Sequence, residues 1–282
     1  MASASSCLKT NDGLAQNSSL LTARKKIGRM KITSKTFLIA LLTFAMGVSA
    51  AQAAETLNVY GPGGPAPAMK EAAIAFSAAR GISVNVTAGP TPQWANQAKA
   101  DADVIFSGAE NMMSDFSKVM PGVFDLARAE PVYLRPVSLL VRPGNPKRIQ
   151  NFRDVLKPGI KVLTVAGAGQ VGLWEDVAGR TGDIEMLKAF RGNMVPEAAN
   201  SAEAKAQWAR QTDIDAWLIW NIWQVANPDL AQVVAVEPDL RIYRDMGLVV
   251  TNRANGNADA MAFINFIKSN TGRQIFMKWG WQ

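Results

Sequence analysis

The chain contains no histidine and a single cysteine, Cys7, among its 282 residues. Beyond Cys7 it can therefore form no internal disulfide, no histidine or cysteine metal site and no nucleophile that depends on either side chain. It also lacks the G-x-S-x-G elbow of serine hydrolases, and the glycine-rich turn after Tyr60 lacks the Gly-Lys-Ser/Thr sequence of a phosphate-binding P-loop. The sequence accordingly predicts a protein that is not an enzyme and that uses no cofactor.

Long hydrophobic runs are also scarce, and the most apolar one covers residues 37–48. It follows two lysines, precedes an A-x-A cleavage pattern at residues 51–53, and is shorter than the roughly 20 residues needed to span a bilayer. These features predict a cleavable export signal over residues 30–53 and a mature protein outside the cytoplasm. Residues 1–29 are polar and without pattern, and are predicted to be a non-structural extension.

Positive charge is concentrated at the start of the chain. The formal net charge is +7, but residues 1–53 hold seven Lys or Arg and one Asp, which accounts for +6 and leaves +1 for the rest. Binding to nucleic acid or to an anionic membrane needs a concentrated basic surface. The composition after residue 53 therefore predicts no nucleic-acid partner.

Short apolar, β-branched runs alternate with helical patterns along the remaining chain, which is typical of an α/β fold. The strand-like runs lie at residues 57–60, 84–87, 104–106, 138–141, 162–165, 216–219, 233–236 and 248–251. The helical patterns lie at residues 67–80, 111–119, 173–181, 201–211 and 258–269. The segment RPGNP at residues 142–146 is typical of a turn that interrupts regular secondary structure, and it falls between a first and a second set of alternating strands and helices. Two α/β lobes fit this layout better than one long sheet, which stays open as an alternative.

Four strand-to-helix turns carry small residues that would leave backbone amides accessible. They are residues 61–65 with Gly63 and Gly64, Ser107-Gly108, residues 167–170 with Gly169 and Gln170, and Asn200-Ser201. A helix N-terminus offers free N–H groups and a partial positive charge, so each turn suits an anion. The alternatives are a simple capping box for Asn200 with Glu203, and purely geometric roles for the glycines.

The segment Gly167-x-Gly169-x-x-Gly172 also matches the glycine fingerprint of dinucleotide-binding folds. In those folds an acidic residue about 20 positions further on ends a second strand, whereas Asp183 and Glu185 begin a helical pattern here. We therefore do not interpret this turn as a nucleotide site.

Arg135 and Arg244 lie inside otherwise extended, apolar segments. The planar guanidinium group can hold an oxyanion or a carboxylate through two hydrogen bonds, although a structural ion pair is the alternative. Trp220 and Asn221 fall at a strand end, where a pocket wall would lie, while a tryptophan cluster of this kind is more typical of a core. The residues alone leave these alternatives open.

Six longer segments carry a more specific signal. They are LNVYGPGGPAPAMKEAA, DADVIFSGAENMM, PVYLRPVSLLVRPGNP, GLWEDVAGRTGDI, NSAEAKAQWARQTDIDAWLIWNIWQVANP and IFMKWGW. Together they resemble accessory colonization factor AcfC and the related surface antigen of Campylobacter, which belong with the molybdate- and sulfate-type periplasmic solute-binding proteins. The resemblance covers essentially all of residues 54–282.

The resemblance implies a periplasmic binding protein fold of type II, with a mixed sheet flanked by helices in each lobe and a ligand cleft between the lobes. Lobe 1 would comprise residues 54–137 and 243–282, and lobe 2 residues 138–242. The implied function is capture in the periplasm of a small oxyanion, or of a metabolite that bears phosphate or carboxylate, for an ABC-type membrane permease. A homodimer is also implied as possible, and a colonization, adhesion or chemoreceptor-linked role on the same fold is the alternative.

The resemblance also implies which residues line the cleft, from their positions in the matching segments. They are Gly63, Gly64, Ser107, Gly108, Arg135, Gly169, Gln170, Asn200, Ser201, Trp220 and Asn221. In one place the chain departs from the pattern of the family. Only residues 170–173 separate the Gly-Ala-Gly turn from Trp174, where relatives have a longer loop rich in Ser, Thr and Gly. Hydroxyl donors are therefore missing there, and Gln170 is expected to replace them as a neutral donor.

Overall fold

The computed structural model describes residues 56–282. The first elements along the chain are β1 (Leu57–Gly61), α1 (Ala66–Arg80), β2 (Val84–Ala88), α2 (Thr91–Asp101), β3 (Val104–Phe106), α3 (Glu110–Val119) and β4 (Glu130–Val141). They are followed by β5 (Val162–Leu163), α4 (Leu173–Ala178), α5 (Ile184–Asn193), α6 (Ser201–Arg210), β6 (Ala216–Trp220) and α7 (Ile222–Val225). The last elements are β7 (Gln232–Ala235), β8 (Tyr243–Val250), α8 (Ala258–Lys268) and α9 (Asn270–Lys278).

The strands form one mixed sheet in the order β2-β1-β3-β8-β4-β6-β5, and β7 pairs with β4 beside this path. Strands β1, β2 and β3 are parallel, as are β5 and β6, whereas β8 runs antiparallel to both β3 and β4. Strand β4 pairs with β8 up to Pro136 and with β6 and β7 from Val137 onwards. The twelve-residue strand β4 is therefore shared by two halves of the sheet. The lobe boundaries at residues 137/138 and 242/243 stay a prediction.

The strands and helices predicted from the sequence pattern are present, with local differences. Strand β4 begins at Glu130 rather than at residue 138, because its first part is held by β8. Helix α4 ends at Ala178, where the sequence pattern continues to residue 181. Three helices escaped prediction. They are α2, which begins between two prolines, the four-residue α7, and α9, which starts directly after α8, where Ser269 caps it by accepting from the Gly272 N–H at 3.2 Å.

Side chains from both halves of the sheet share one apolar core, in which Trp217 and Trp220 are fully buried. A smaller cluster around Trp94 and Phe116 packs on the other side of β1 and β3. None of the helices in residues 56–282 is long and apolar enough to cross a membrane. The predicted export signal lies outside the described residues.

Candidate anion-binding site

A cavity of about 160 Å³ opens where turns from the two halves of the sheet face each other. Its walls come from the turn after β1, the starts of α2 and α3, the turn after β5 and the start of α6. The lining residues are Pro62, Gly63, Gly64, Pro65, Gly89, Pro90, Thr91, Gly108, Met112, Arg135, Ala168, Gly169, Gln170, Asn200, Ser201, Ala202 and Trp223. This set contains one guanidinium, several neutral polar groups and no carboxylate.

Arg135 on β4 supplies the only charged group of the described cavity wall, and only 3% of its surface is exposed. Its Nη2 donates a hydrogen bond to the carbonyl oxygen of Gly108. Its Nε is buried without a hydrogen-bond partner within residues 56–282, and Nη1 likewise has none there. Burying a cation whose N–H donors lack partners costs free energy. A bound anion would accept hydrogen bonds from these donors and offset that cost, so Arg135 is suited to bind one.

Arg135 is charged at neutral pH even though its surroundings lower the pKa of its guanidinium. Burial lowers the pKa of its guanidinium to about 9, and the nearby Asp245 carboxylate opposes this shift. Asp245 is itself buried; its Oδ1 accepts from the Glu110 N–H at 3.1 Å, and no described group partners its Oδ2. No salt bridge joins Arg135 to a described carboxylate, so its charge is offset by Asp245 only at longer range.

Three of the predicted glycines surround the guanidinium of Arg135. A Cβ atom on Gly108 would lie 3.1 Å from Nη1 and 3.2 Å from Nη2, and one on Gly169 would lie 3.0 Å from Nη2. A Cβ on Gly64 would be 3.4 Å from Nη1. At Gly108 and Gly169 the guanidinium would have to shift to accommodate a Cβ atom, so the close approach of the backbone to the arginine favours glycine there, whereas the distance at Gly64 is an ordinary van der Waals contact. The sequence showed the glycines, but not the side chain they make room for.

The turn after β5 is braced from both sides. Ala168 has a φ of 54°, which is the left-handed region, and its carbonyl oxygen accepts from Asn111 Nδ2 at 3.0 Å. In the amide orientation that satisfies its neighbours, Gln170 donates to the Gly167 carbonyl at 3.0 Å and accepts from the hydroxyl of Ser201 at 3.2 Å and the indole N–H of Trp220 at 3.3 Å. Gln170 therefore links two turns of the site to the core.

Helix α6 begins at the cavity with a capping arrangement that the sequence suggested. The Asn200 side chain accepts from the Glu203 N–H at 3.0 Å, and Glu203 accepts in return from the Ala199 N–H at 2.9 Å. This cap leaves the N–H groups of Ser201 and Ala202 without an acceptor in the described part of the chain. Capping and anion binding are therefore compatible at this helix, because they use different N–H groups.

Eight of the residues predicted to bind ligand come together on the cavity wall: Gly63, Gly64, Gly108, Arg135, Gly169, Gln170, Asn200 and Ser201. The other three, Ser107, Trp220 and Asn221, lie behind it. The Ser107 hydroxyl accepts from the Gly247 N–H at 3.1 Å, and Asn221 Nδ2 donates to the Gly280 carbonyl at 2.7 Å. Trp220 lies under Arg135, with its ring centre 4.8 Å from Cζ. These three side chains therefore lie behind the cavity wall, where Trp220 contacts Arg135 and the other two bond to backbone groups.

Several residues of the site were not found from the sequence. Thr91 opens a helix that was not predicted, and Met112 and Trp223 resemble ordinary core residues. Trp281 also lies against Arg135, with its ring centre 5.0 Å from Cζ, and no local signal points to this contact. Residues 56–282 bring no three carboxylate, histidine or cysteine side chains together in a way that could hold a metal ion.

Arg244, the other arginine singled out by the sequence, forms an ion pair with Asp176 and takes no part in the cavity. The ion pair is the structural alternative that the sequence had left open. Arg244 lies opposite Arg135 in the β4–β8 ladder, and its charge acts to lower the pKa of Arg135 further.

Comparison with known proteins identifies the family to which this chain belongs. A family model described as "Bacterial extracellular solute-binding protein" matches residues 57–282. Among solved structures, L-phospholactate-bound PEB3 is 34% identical with a TM-score of 0.76, and Peb3 from Campylobacter jejuni is 33% identical with a TM-score of 0.75; both alignments cover 80% of this chain and 99% of the other. A search of curated proteins found no match.

More distant structures share the fold. The sulfate-binding protein SubI from Mycobacterium tuberculosis H37Rv is 20% identical with a TM-score of 0.66, over 80% of this chain and 86% of that one. The periplasmic molybdate-binding protein of Azotobacter vinelandii is 18% identical with a TM-score of 0.61, over 80% and 98%. The molecule therefore has the two-lobed fold of periplasmic binding proteins, as the sequence resemblance implied. The chain belongs to the family of bacterial extracellular solute-binding proteins.

Proposed function

We propose that this protein is exported to the periplasm, binds a small organic anion that carries phosphate or carboxylate, and presents it to an ABC-type membrane permease. The observation that carries the proposal is Arg135, a buried guanidinium with unused donors at the wall of a cavity that contains no carboxylate. Neutral donors and helix N-termini around it can hold the same anion without a second fixed charge. The export signal over residues 30–53, the permease and the homodimer remain predictions.

The size and lining of the cavity favour an organic anion over a bare oxyanion. At a share of about 30 Å³ for each water in the liquid, a cavity of about 160 Å³ holds about five waters. A single sulfate would leave much of this volume unfilled. Pro62, Pro65, Pro90, Met112 and Trp223 also give part of the wall an apolar character that suits a carbon skeleton. The L-phospholactate complex of PEB3, a relative at 34% identity, supports the same class of ligand.

The first test is thermal unfolding of purified residues 54–282 with L-phospholactate, 3-phosphoglycerate, citrate, phosphate, sulfate, thiosulfate and molybdate, each added separately. A ligand present at about 100 times its dissociation constant adds about 2.7 kcal/mol to the free energy of unfolding. We expect the largest stabilisation from L-phospholactate or 3-phosphoglycerate, and a smaller one from inorganic phosphate and sulfate.

The matched variants are Arg135→Met and Arg210→Met, because Arg210 is an exposed residue at the far end of α6. Arg135→Met is expected to lose the stabilisation by anions, while Arg210→Met keeps it. Equal stabilisation of both variants would contradict the role given to Arg135. No stabilisation of the wild-type protein by any of the seven compounds would contradict the proposed ligand class and would favour the adhesion or chemoreceptor role.

A further inference from the structure

Arg135 is held mainly by aromatic rings and backbone, without a direct carboxylate contact. Its Cζ atom lies 4.8 Å from the ring centre of Trp220 and 5.0 Å from that of Trp281, and its only described hydrogen bond goes to the Gly108 carbonyl. The faces of indole rings attract a cation without cancelling its net charge, whereas a bonded carboxylate would neutralise it and compete with an incoming anion. An aromatic cage thus fixes the guanidinium and leaves its charge available.

Trp281 reaches this position because residues 280–282 fold back along β4. Leu134 and Gln282 exchange both backbone hydrogen bonds, at 2.9 and 2.8 Å, as directly opposed residues of an antiparallel pair do. Successive side chains of extended chain point to opposite faces. Arg135 follows Leu134 and Trp281 precedes Gln282, so these two residues also lie opposite each other. Their side chains therefore point to the same face and meet there.

Asn221 fastens the folded-back segment from the opposite side. Its Nδ2 donates to the Gly280 carbonyl at 2.7 Å, and it directly follows Trp220, the other ring against Arg135. Gly280 has a φ of 86°, and a Cβ there would lie 2.9 Å from Asn221 Nδ2. Only glycine satisfies both the backbone conformation and the close approach. Asn221 is adjacent to Trp220 and Gly280 is adjacent to Trp281, so the hydrogen bond between them connects the two segments that carry the aromatic rings.

We propose that Trp281 is a positioning residue for anion binding: held by Asn221 and Leu134, it fixes the guanidinium of Arg135 toward the cavity without neutralising it. The proposal rests on the anion-binding function described above. Trp281 does not line the cavity and acts through Arg135 alone. Its effect on affinity must therefore depend on the presence of the arginine.

The test is calorimetric titration of L-phospholactate, with sulfate as a second probe, into wild-type protein and the variants Trp281→Leu, Trp281→Phe and Trp279→Leu. Loss of the ring should weaken binding about ten-fold or more, whereas phenylalanine, which keeps an aromatic face, should stay within about three-fold. Trp279→Leu is the control, since that half-buried tryptophan bonds to Glu71 and does not contact Arg135. Asn221→Ala is a milder variant that should weaken binding a few-fold if Trp281→Leu does not fold.

A double-mutant cycle separates positioning from general destabilisation. In an Arg135→Lys background the flat guanidinium is gone, so adding Trp281→Leu should cause little further loss of affinity. Full additivity of the two losses, or wild-type affinity in both Trp281→Leu and Asn221→Ala, would overturn the proposal while leaving the anion-binding function intact. Failure of the wild-type protein to bind either probe would overturn the function and this proposal together.

Discussion

Two arginines on or next to β4, Arg135 in the middle of the strand and Arg142 directly after it, both lie over tryptophan rings but differ in their hydrogen bonding. Arg142 Cζ is 3.7 Å from the ring centre of Trp208, and Arg135 Cζ is 4.8 Å from that of Trp220. All three guanidinium nitrogens of Arg142 donate to backbone carbonyls. The acceptors are Ile214 at 2.7 Å, Trp208 at 3.0 Å, and Gln211.

The difference in bonding separates a structural arginine from one available to a ligand. Arg142 joins the end of β4 to the last turn of α6 and to the segment between α6 and β6, and each of its guanidinium nitrogens has a partner. Arg135 has one described hydrogen bond, and its Nε is buried without a partner. Stacking on tryptophan therefore does not distinguish the two roles, whereas the number of unused donors does.

The largest expected effect is on Arg135→Met. Loss of charge-assisted hydrogen bonds to a bound anion should weaken affinity by about 100-fold, equivalent to ~3 kcal/mol. Stability should change little, because the variant removes a buried cation that is only partly bonded. Calorimetric titration and urea unfolding on the same samples measure both quantities. A large loss of stability with unchanged affinity would reverse the roles assigned to the two arginines.

Arg142→Met should have the opposite profile. Removing its guanidinium leaves three backbone carbonyls without their donor, at a half-buried site, and should reduce the free energy of unfolding by about 2 kcal/mol. Urea unfolding measures this loss, and anion affinity should remain within about two-fold of wild type. Loss of affinity in a variant that is folded at the assay temperature would contradict the separation.

Gly108→Ala probes the space beside Arg135 without changing any charge. The added Cβ would lie 3.1–3.2 Å from both terminal nitrogens, so the guanidinium must move by a few tenths of an ångström. We expect an affinity loss of about ten-fold, or ~1.4 kcal/mol. The control is Gly192→Ala in α5, where no atom lies within 4 Å of the added group and alanine should stabilise the helix by up to about 1 kcal/mol. Identical affinities of the two variants would show that the close approach is not needed.

The smallest effects on affinity and stability are expected for Arg244→Met. Arg244 differs from both Arg135 and Arg142 because it forms an ion pair with a carboxylate. The charge of Arg244 is already paired with Asp176 at a partly exposed position, so its removal should change stability by less than about 1 kcal/mol. Anion affinity should change by less than about three-fold, and raising the salt concentration should reduce the effect. A loss as large as that of Arg135→Met, measured by the same titration, would give Arg244 a direct role in binding.

Much of the fold was predictable because its signals are local. Alternating apolar runs, breakers and small-residue turns placed the strands and most helices, and the resemblance implied the two-lobed fold that the comparisons confirm. The missed helices show the limit. The prolines at the start of α2 are typical both of turns and of a first helical turn, and only packing of Trp94 into the core decides between them.

The candidate site was predictable to a lesser degree. Gly108 and Gly169 were singled out as openings to backbone amides, but their closest neighbour is the guanidinium of Arg135. Ser107 and Asn221 have side chains that suit an anion, yet both are used in hydrogen bonds to backbone behind the cavity. Residue type and position in a turn do not reveal which partner a polar group already has.

The sequence by itself determined the class of protein and four of the turns that meet at the cavity, since glycine, proline and capping residues act on their own backbone. Only the tertiary structure decided which groups remain unbonded there. Arg135 and Arg142 cannot be distinguished from local sequence, because their partners lie on distant segments brought close by the sheet. The availability of Arg135 to an anion depends on Trp220, Trp281 and the surrounding glycines, and that is a property of packing.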